Sequence, residues 1–271
     1  KNFGLLGAGF GVGFVIGPVI GGLVAEFGTR APFYAAAGLA FLNLCYGAFV
    51  LPESLRPELR RAFDWRRANP FGAVKQLRKV PTVAWLLVAL FLFDIAHYSY
   101  PAIWAFYTKQ AFGWSSAEVG LSLAAVGVGF VIVQGWLIRV LIPAIGEVRT
   151  AYVGFAFNII SLTALAFATQ GWMIYVILPL TALSAILTPA LTALMANRIA
   201  DDAQGELQGV MSSVTAITLI ISPLLMTQLF GYFASDAAPF YLPGAPFLAA
   251  AVITSIALLP FAIGLRTRVE R

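Results

Sequence analysis

Asp94 and His97 are the residues of this chain whose types and spacing best suit proton chemistry. They stand three positions apart inside a long apolar run, and residues i and i+3 share one face of a helix. An ionisable side chain near the centre of a bilayer costs roughly 2.5–3.5 kcal/mol, so it faces a wet cavity, has a partner, or has a function. The pair predicts either a group that loads and releases a proton or an aspartic acid that is hydrogen-bonded to His97 and fixes two helices together.

Aromatic side chains follow on the same apolar run, around Pro101. They can form a stacking wall for a flat ligand or belong to the aromatic belt at the membrane surface. The belt explains Trp104 and Tyr107, whereas Tyr98 lies deep enough to be a cavity residue. Pro101 leaves a backbone carbonyl without its helical partner and can serve as a hinge.

Two amides within apolar runs, Gln134 and Asn158, have two interpretations. Interhelical hydrogen bonds in membranes contribute about 0.6 kcal/mol on average, and holding helices together is the ordinary role of such side chains. The alternative is that Gln134 and Asn158 line a substrate cavity.

The composition indicates that the chain crosses a membrane several times. Hydrophobic residues make up 60% and charged residues 11%, whereas soluble domains have about 25% charged residues. The net charge of +5 does not indicate nucleic-acid binding, because the basic residues lie in short loops rather than in one stripe. One histidine and one cysteine on different segments supply neither a nucleophile–base pair nor a metal site, and no phosphate-binding loop occurs. We therefore expect no enzyme, no cofactor and no ATP-driven pump.

Apolar segments long enough to span a bilayer define an all-α polytopic fold. Ser115 and Glu118 form a capping box at the start of the fourth segment, and Ser184 with Pro189 predicts a bend in the sixth. The predicted spans are Phe3–Phe27, Pro32–Leu51, Thr82–Tyr107, Ala117–Leu141, Thr150–Thr169, Trp172–Met195, Leu207–Tyr232 and Pro246–Leu265.

The basic residues predict the orientation of these spans. If Lys1 and Arg271 are cytoplasmic and the segments alternate, all of the 17 lysines and arginines except Arg30 and Lys109 face the cytoplasm. The opposite orientation would break the positive-inside rule. The long basic loop at residues 52–81 is then cytoplasmic, where its charges can lie on the anionic leaflet.

A glycine-rich motif in the first segment predicts a close helix–helix contact. Glycines four positions apart share one helix face and let a second backbone approach, and the proline bends the helix. The motif consists of Gly13, Gly17, Pro18, Gly21 and Gly22.

This motif resembles the antiporter motif on the fifth helix of drug/proton antiporters in the major facilitator superfamily. Four further segments match the superfamily in the same order along the chain, and the last two of them resemble the tetracycline-efflux branch. The four segments are Ala31–Phe33, Leu51–Ser54, Ala166–Met173 and Gln204–Gly209.

The resemblance implies the major facilitator fold, with eight of its twelve helices in this chain. Residues 1–51 would be the last two helices of the N-terminal six-helix bundle, 52–81 the central cytoplasmic loop and 82–271 the C-terminal six-helix bundle. We expect the rest of the N-terminal bundle to precede Lys1. The implied location is the bacterial inner membrane, and the implied state is a monomer.

The implied function is proton-coupled efflux of a small amphiphilic compound by alternating access, with the substrate, protons and lipid as partners. The alternatives are an importer or an uncoupled facilitator with the same fold. Tetracycline/proton antiporters have an acid on the ninth helix where this chain has Asn158, and an amide does not exchange protons near neutral pH. The asparagine therefore argues against tetracycline as the substrate and against proton coupling through that helix.

A loop after the fourth segment is similar to the family's charged cytoplasmic loop signature. Arg139, Glu147 and Arg149 can form a latch that pairs charges across the cytoplasmic helix ends. The alternative is that Arg139 and Arg149 are topology-setting charges.

Overall fold

The computed structural model describes residues 30–50, 81–199 and 204–266, with nine scattered positions between 12 and 28. Every regular element among them is helical. The helices are α1 (Ala31–Phe49), α2 (Pro81–His97), α3 (Ser99–Phe112), α4 (Ser116–Ile132), α5 (Ile138–Ala166), α6 (Gly171–Ser184), α7 (Leu187–Ala196), α8 (Gln204–Phe233) and α9 (Ala245–Arg266), with a π-helical turn at Val133–Leu137 between α4 and α5.

Six helical stretches in the described residues are long and apolar enough to cross a membrane. One of them covers 51 residues, from Ser116 to Ala166. A straight helix of that length would extend about 77 Å, more than twice the roughly 30 Å of a bilayer core. It is broken at Gly146, whose φ of +80° lies in the region that favours glycine. Because α4 and α5 both pack against α6, this stretch accounts for the two predicted spans Ala117–Leu141 and Thr150–Thr169.

The helices from α2 onward pack into a bundle around two large apolar cores and a small one at Val133, Ala182, Ala185 and Ile186. In one large core Phe93, Phe155 and Phe261 meet where α2, α5 and α9 come together. In the other large core, Tyr107 and Phe247 join α3 to α9. By contrast, α1 buries none of its residues in this structure.

Two helix interruptions lie just before prolines. Proline lacks an N–H and its ring clashes with the carbonyl four residues earlier. Pro101 therefore explains why α2 and α3 separate at Tyr98, and Pro189 explains the gap between α6 and α7. The predicted bend at Ser184–Pro189 is confirmed as a break in the helix.

The capping box is confirmed, whereas the aromatic belt is wrong for two residues. Ser115 Oγ accepts from the Glu118 amide, and the Glu118 carboxylate accepts from the Ser115 amide at 2.7 Å.

Trp104 and Tyr107, however, are buried within the bundle. Trp104 Nε1 donates to Ser122 Oγ at 2.9 Å, and the Tyr107 hydroxyl donates to the Leu165 carbonyl at 2.6 Å. The polar ends of both side chains therefore form hydrogen bonds to other helices and do not face lipid headgroups.

Several predictions fall on residues outside the described set. Most of the first predicted span does so, as do residues 52–80 of the basic loop. The domain boundaries at 51 and 81 and the number of helices in the native protein therefore stay predictions.

Candidate functional site

Asp94 lies in the last turn of α2, and its side chain is hydrogen-bonded to a different helix. Its side chain is 6% exposed, and its Oδ2 accepts a hydrogen bond from Thr215 Oγ1 of α8 at 3.0 Å. Farther along α8, Ser222 Oγ donates to the Ile95 carbonyl at 2.7 Å. Thr215 and Ser222 are seven positions apart and so share one helix face. Together these contacts form a polar seam between α2 and α8.

His97 faces aromatic rings rather than Asp94. Its ring stacks on Phe93 with centroids 5.4 Å apart, and it meets Tyr98 and Tyr100 edge-on at 5.9 and 6.0 Å. Its Nδ1 is buried and has no hydrogen-bond partner among the described residues. Asp94 and His97 are thus neighbours in the fold with different contacts, and their role in proton coupling stays a prediction.

A cavity of about 210 Å³ lies beside His97. It is formed by α3, α4 and α6 together with the end of α2, and Tyr98 is part of its wall. The role of Tyr98 in a substrate cavity stays a prediction. Gln134 and Asn158 are not in this wall. The lining residues are His97, Tyr98, Tyr100, Pro101, Trp104, Leu123, Val126, Phe130, Leu178 and Thr181.

Tyr100 is fixed in the cavity wall by hydroxyl groups from two other helices. Its hydroxyl is 3.2 Å from Ser161 Oγ of α5 and 3.5 Å from Thr181 Oγ1 of α6. The Ser161 hydroxyl also donates to the Asn158 carbonyl at 3.1 Å. The aromatic wall is therefore held by a buried hydrogen-bond network.

Asn158 joins three helices and is completely buried. Its Nδ2 donates to Ser184 Oγ of α6 at 3.4 Å, and its Oδ1 accepts from Thr254 Oγ1 of α9 at 3.0 Å. Both side-chain groups are satisfied by protein, which favours the role in helix packing over direct contact with a substrate.

Asn158→Leu is expected to lower the free energy of unfolding by only about 0.6–1.7 kcal/mol, the range for single polar contacts between membrane helices. The cost is small because the Ser184 and Thr254 hydroxyls keep their carbonyl acceptors on Thr181 and Ala250, at 2.7 and 2.9 Å. Denaturant unfolding in micelles measures this change in the free energy of unfolding. The control is Asn43→Leu, which makes the same replacement at an exposed position. A large loss of substrate affinity at unchanged stability would instead place Asn158 in a ligand site.

Gln134 lies in the π-helical turn and is half-buried. Single π turns inside α-helices occur frequently at functional sites. The position therefore agrees with a functional role for Gln134, which stays a prediction.

The three candidate latch residues do not pair with one another in this structure. Glu147 Oε1 accepts from Asn197 Nδ2, just after α7, at 3.1 Å, whereas Arg139 and Arg149 are exposed. Glu147, which follows the break at Gly146 in α5, thus connects α5 to the end of α7. The latch stays a prediction, with Asn197 as an additional member.

The antiporter motif is described in part. A Cβ built on Gly13, Gly17 or Gly21 meets nothing within 4 Å among the described residues. Pro18 and Gly22 lie outside the described residues. The close helix contact at this motif stays a prediction.

Sequence reasoning missed Thr215 and Ser222, which contact α2 beside Asp94. A signal for them exists, because Thr215, Thr218 and Ser222 recur at i, i+3 and i+7 in an apolar segment. That spacing gives one polar stripe on a helix. Thr215 and Ser222 of this stripe bond α2, whereas Thr218 donates to the Thr215 carbonyl of its own helix at 2.7 Å.

Apolar helices of membrane length with buried polar contacts between them define an integral, multi-pass membrane protein. The chain belongs to the Major Facilitator Superfamily, whose family model matches residues 1–223. This confirms the predicted superfamily and the fold class.

Curated relatives include tetracycline resistance proteins. The class C protein of Escherichia coli is 37% identical over 87% of this chain and 59% of its own length. The class G protein of Vibrio anguillarum is 33% identical over 84% of this chain and 58% of its own length. These matches confirm the predicted resemblance to the tetracycline-efflux branch.

A solved structure has the same fold. The crystal structure of the human organic anion transporter MFSD10 (TETRAN) superposes with a TM-score of 0.69 at 23% identity, over 96% of this chain and 62% of that protein. The chain thus spans less than two thirds of each of these three proteins.

Proposed function

We propose that this protein is a secondary transporter that exports a small amphiphilic compound in exchange for protons, by alternating access. The observation that carries the proposal is the contact between Asp94 and Thr215, which places a buried carboxyl group between two membrane helices. Ionisable groups in such positions mark proton and substrate pathways in membrane proteins.

The chemistry of this contact suits a group that changes its protonation state. A carboxylate accepts hydrogen bonds, a carboxylic acid also donates one, and a hydroxyl can do either. Thr215 can therefore bond Asp94 in both states, with the direction of the bond reversed. Because Asp94 lies on α2 and Thr215 on α8, loss or gain of the proton changes the strength of a link between two membrane helices.

The names of the relatives support export of a drug-like compound, since resistance to tetracycline is what the class C and class G proteins are named for. Tetracycline itself is not the substrate we expect here. The resemblance places an acid at the position of Asn158 in tetracycline/proton antiporters, and Asn158 is bonded on both sides to protein.

We further propose that the protein acts as a monomer in the bacterial inner membrane, with Lys1 and Arg271 in the cytoplasm. The distribution of lysine and arginine among the predicted loops supports this orientation.

Transport by the purified native protein in proteoliposomes tests the function. We expect rhodamine 6G and ethidium to accumulate against their gradients when the vesicle interior is acidic, at rates well above that of tetracycline. Accumulation should stop when nigericin removes the pH gradient. Uptake at the same rate with and without the pH gradient would indicate a facilitator. Movement of the compounds in the same direction as the protons would indicate an importer.

A further inference from the structure

The cavity beside His97 combines aromatic walls with two polar groups, the His97 imidazole and the Tyr98 hydroxyl. His97, Tyr100 and Trp104 stand at i, i+3 and i+7, on one face of α2 and α3. Tyr100 and Trp104 lie 6.3 Å apart between ring centroids, tilted by 49°. Apart from Thr181, the residues on the opposite side are apolar, with Leu123, Val126 and Phe130 from α4.

The polar ends of Tyr100 and Trp104 are already bonded, whereas the Tyr98 hydroxyl, which also lines the cavity, makes no hydrogen bond to another described residue. The Trp104 N–H donates to Ser122, and the Tyr100 hydroxyl is within reach of Ser161 and Thr181. His97 differs, because its buried Nδ1 has no partner among the described residues. Because Nδ1 itself is covered by protein atoms, a ligand in the cavity can reach the imidazole only at Nε2.

The volume of the cavity limits the size of its ligand. An apolar cavity of about 150 Å³ holds benzene, so about 210 Å³ suits one ring or two fused rings. A neutral imidazole has one donor and one acceptor nitrogen, and a hydroxyl group can bond either of them.

We propose that this cavity binds a compact aromatic molecule bearing a hydroxyl group, which packs against Tyr100 and Trp104 and hydrogen-bonds to His97. Its lining residues all lie between positions 97 and 181, so the site is formed within one group of packed helices. That this molecule is a transported substrate rests on the proposed function; its binding does not.

Matched ligands and matched variants test the site. Binding of 2-naphthol and naphthalene to the native protein in nanodiscs is measured by equilibrium dialysis, with empty nanodiscs as background. We expect the protein to prefer 2-naphthol by roughly tenfold, the upper value of one ordinary hydrogen bond. His97→Phe keeps a ring in the wall but removes the nitrogens, so its preference should fall to about one while naphthalene still binds.

A second pair of variants tests the location. Val126 is 8% exposed and lines the cavity, whereas Val128 on the same helix is 50% exposed and does not. Val126→Phe should abolish binding of both ligands, and Val128→Phe should leave it unchanged. Equal binding of the two ligands to the native protein, an unchanged preference in His97→Phe, or intact binding in Val126→Phe would overturn the proposal. If Val126→Phe does not fold, the His97→Phe result decides.

The outcome is separable from the proposed function. Binding is measured without a pH gradient, and it should persist in Asp94→Asn. Binding as expected in a protein that fails to couple transport to protons would remove the export function and leave the site. Proton-coupled transport by a protein that shows no preference for 2-naphthol would remove the proposed site and leave the export function.

Discussion

Replacing Asp94 with asparagine is expected to reduce proton-driven accumulation to the rate of protein-free vesicles. An amide does not take up and release a proton near neutral pH, so the variant has no titratable group at the seam between α2 and α8. The hydrogen bond to Thr215 can still form, because the amide oxygen accepts as the carboxylate does. We therefore expect the free energy of unfolding to change by less than about 1 kcal/mol.

Two controls separate coupling from folding and binding. Asp236→Asn makes the same chemical change at an exposed carboxyl between α8 and α9, and it should transport as the native protein does. Exchange of labelled for unlabelled substrate, with no pH gradient, should survive in Asp94→Asn, since that reaction needs alternating access without net proton movement. Asp94→Asn proteoliposomes that still concentrate substrate under a pH gradient would exclude Asp94 from coupling.

Sequence predicts the helices of this protein well because membrane helices obey strong local rules. Spans follow from length and hydropathy, since every backbone group in lipid must be bonded within the protein. The capping box at Ser115 and the break before Pro189 also follow from nearby residues. Each of these features depends on interactions within a few positions of the chain.

The direction in which side chains face is harder to predict. In a soluble protein the apolar stripe of a helix marks its buried face, but lipid tails are as apolar as leucine, so the pattern does not separate lipid-facing from protein-facing positions. The sequence pattern therefore places Trp104 and Tyr107 at the membrane surface, although the bundle buries both. Polar residues were the better guide, because a buried hydroxyl or carboxyl needs a partner inside the protein.

The partner of Asp94 illustrates the remaining difficulty. Thr215 is 121 positions away, and nothing local to Asp94 indicates it. The nearer residue, His97, shares a helix turn with Asp94 but turns to Phe93 and Tyr100 instead. Spacing along one helix predicts which side chains are neighbours, whereas their hydrogen bonds depend on how the second helix packs.

Gly154→Ala is expected to destabilise the protein by about 1–3 kcal/mol, the usual cost of overpacking a tight contact. Gly154 of α5 faces Leu187, the first residue of α7, where an added Cβ would lie 2.8 Å from the Leu187 Cβ and 3.0 Å from its Cα. Leu187 is completely buried, and its backbone can yield only if α5 and α7 separate. Denaturant unfolding in micelles measures the loss.

Gly120→Ala provides the matched control with the opposite sign. A Cβ on Gly120 of α4 meets nothing within 4 Å among the described residues, so the substitution adds no clash. Alanine is more favourable than glycine in a helix by up to about 1 kcal/mol, and this variant should be slightly more stable than the native protein. Because the same change is expected to have opposite effects at the two glycines, equal stability of the two variants would contradict close packing of α5 on α7. That packing matters for the site, since α5 supplies both Ser161 to Tyr100 and Asn158 to α6 and α9.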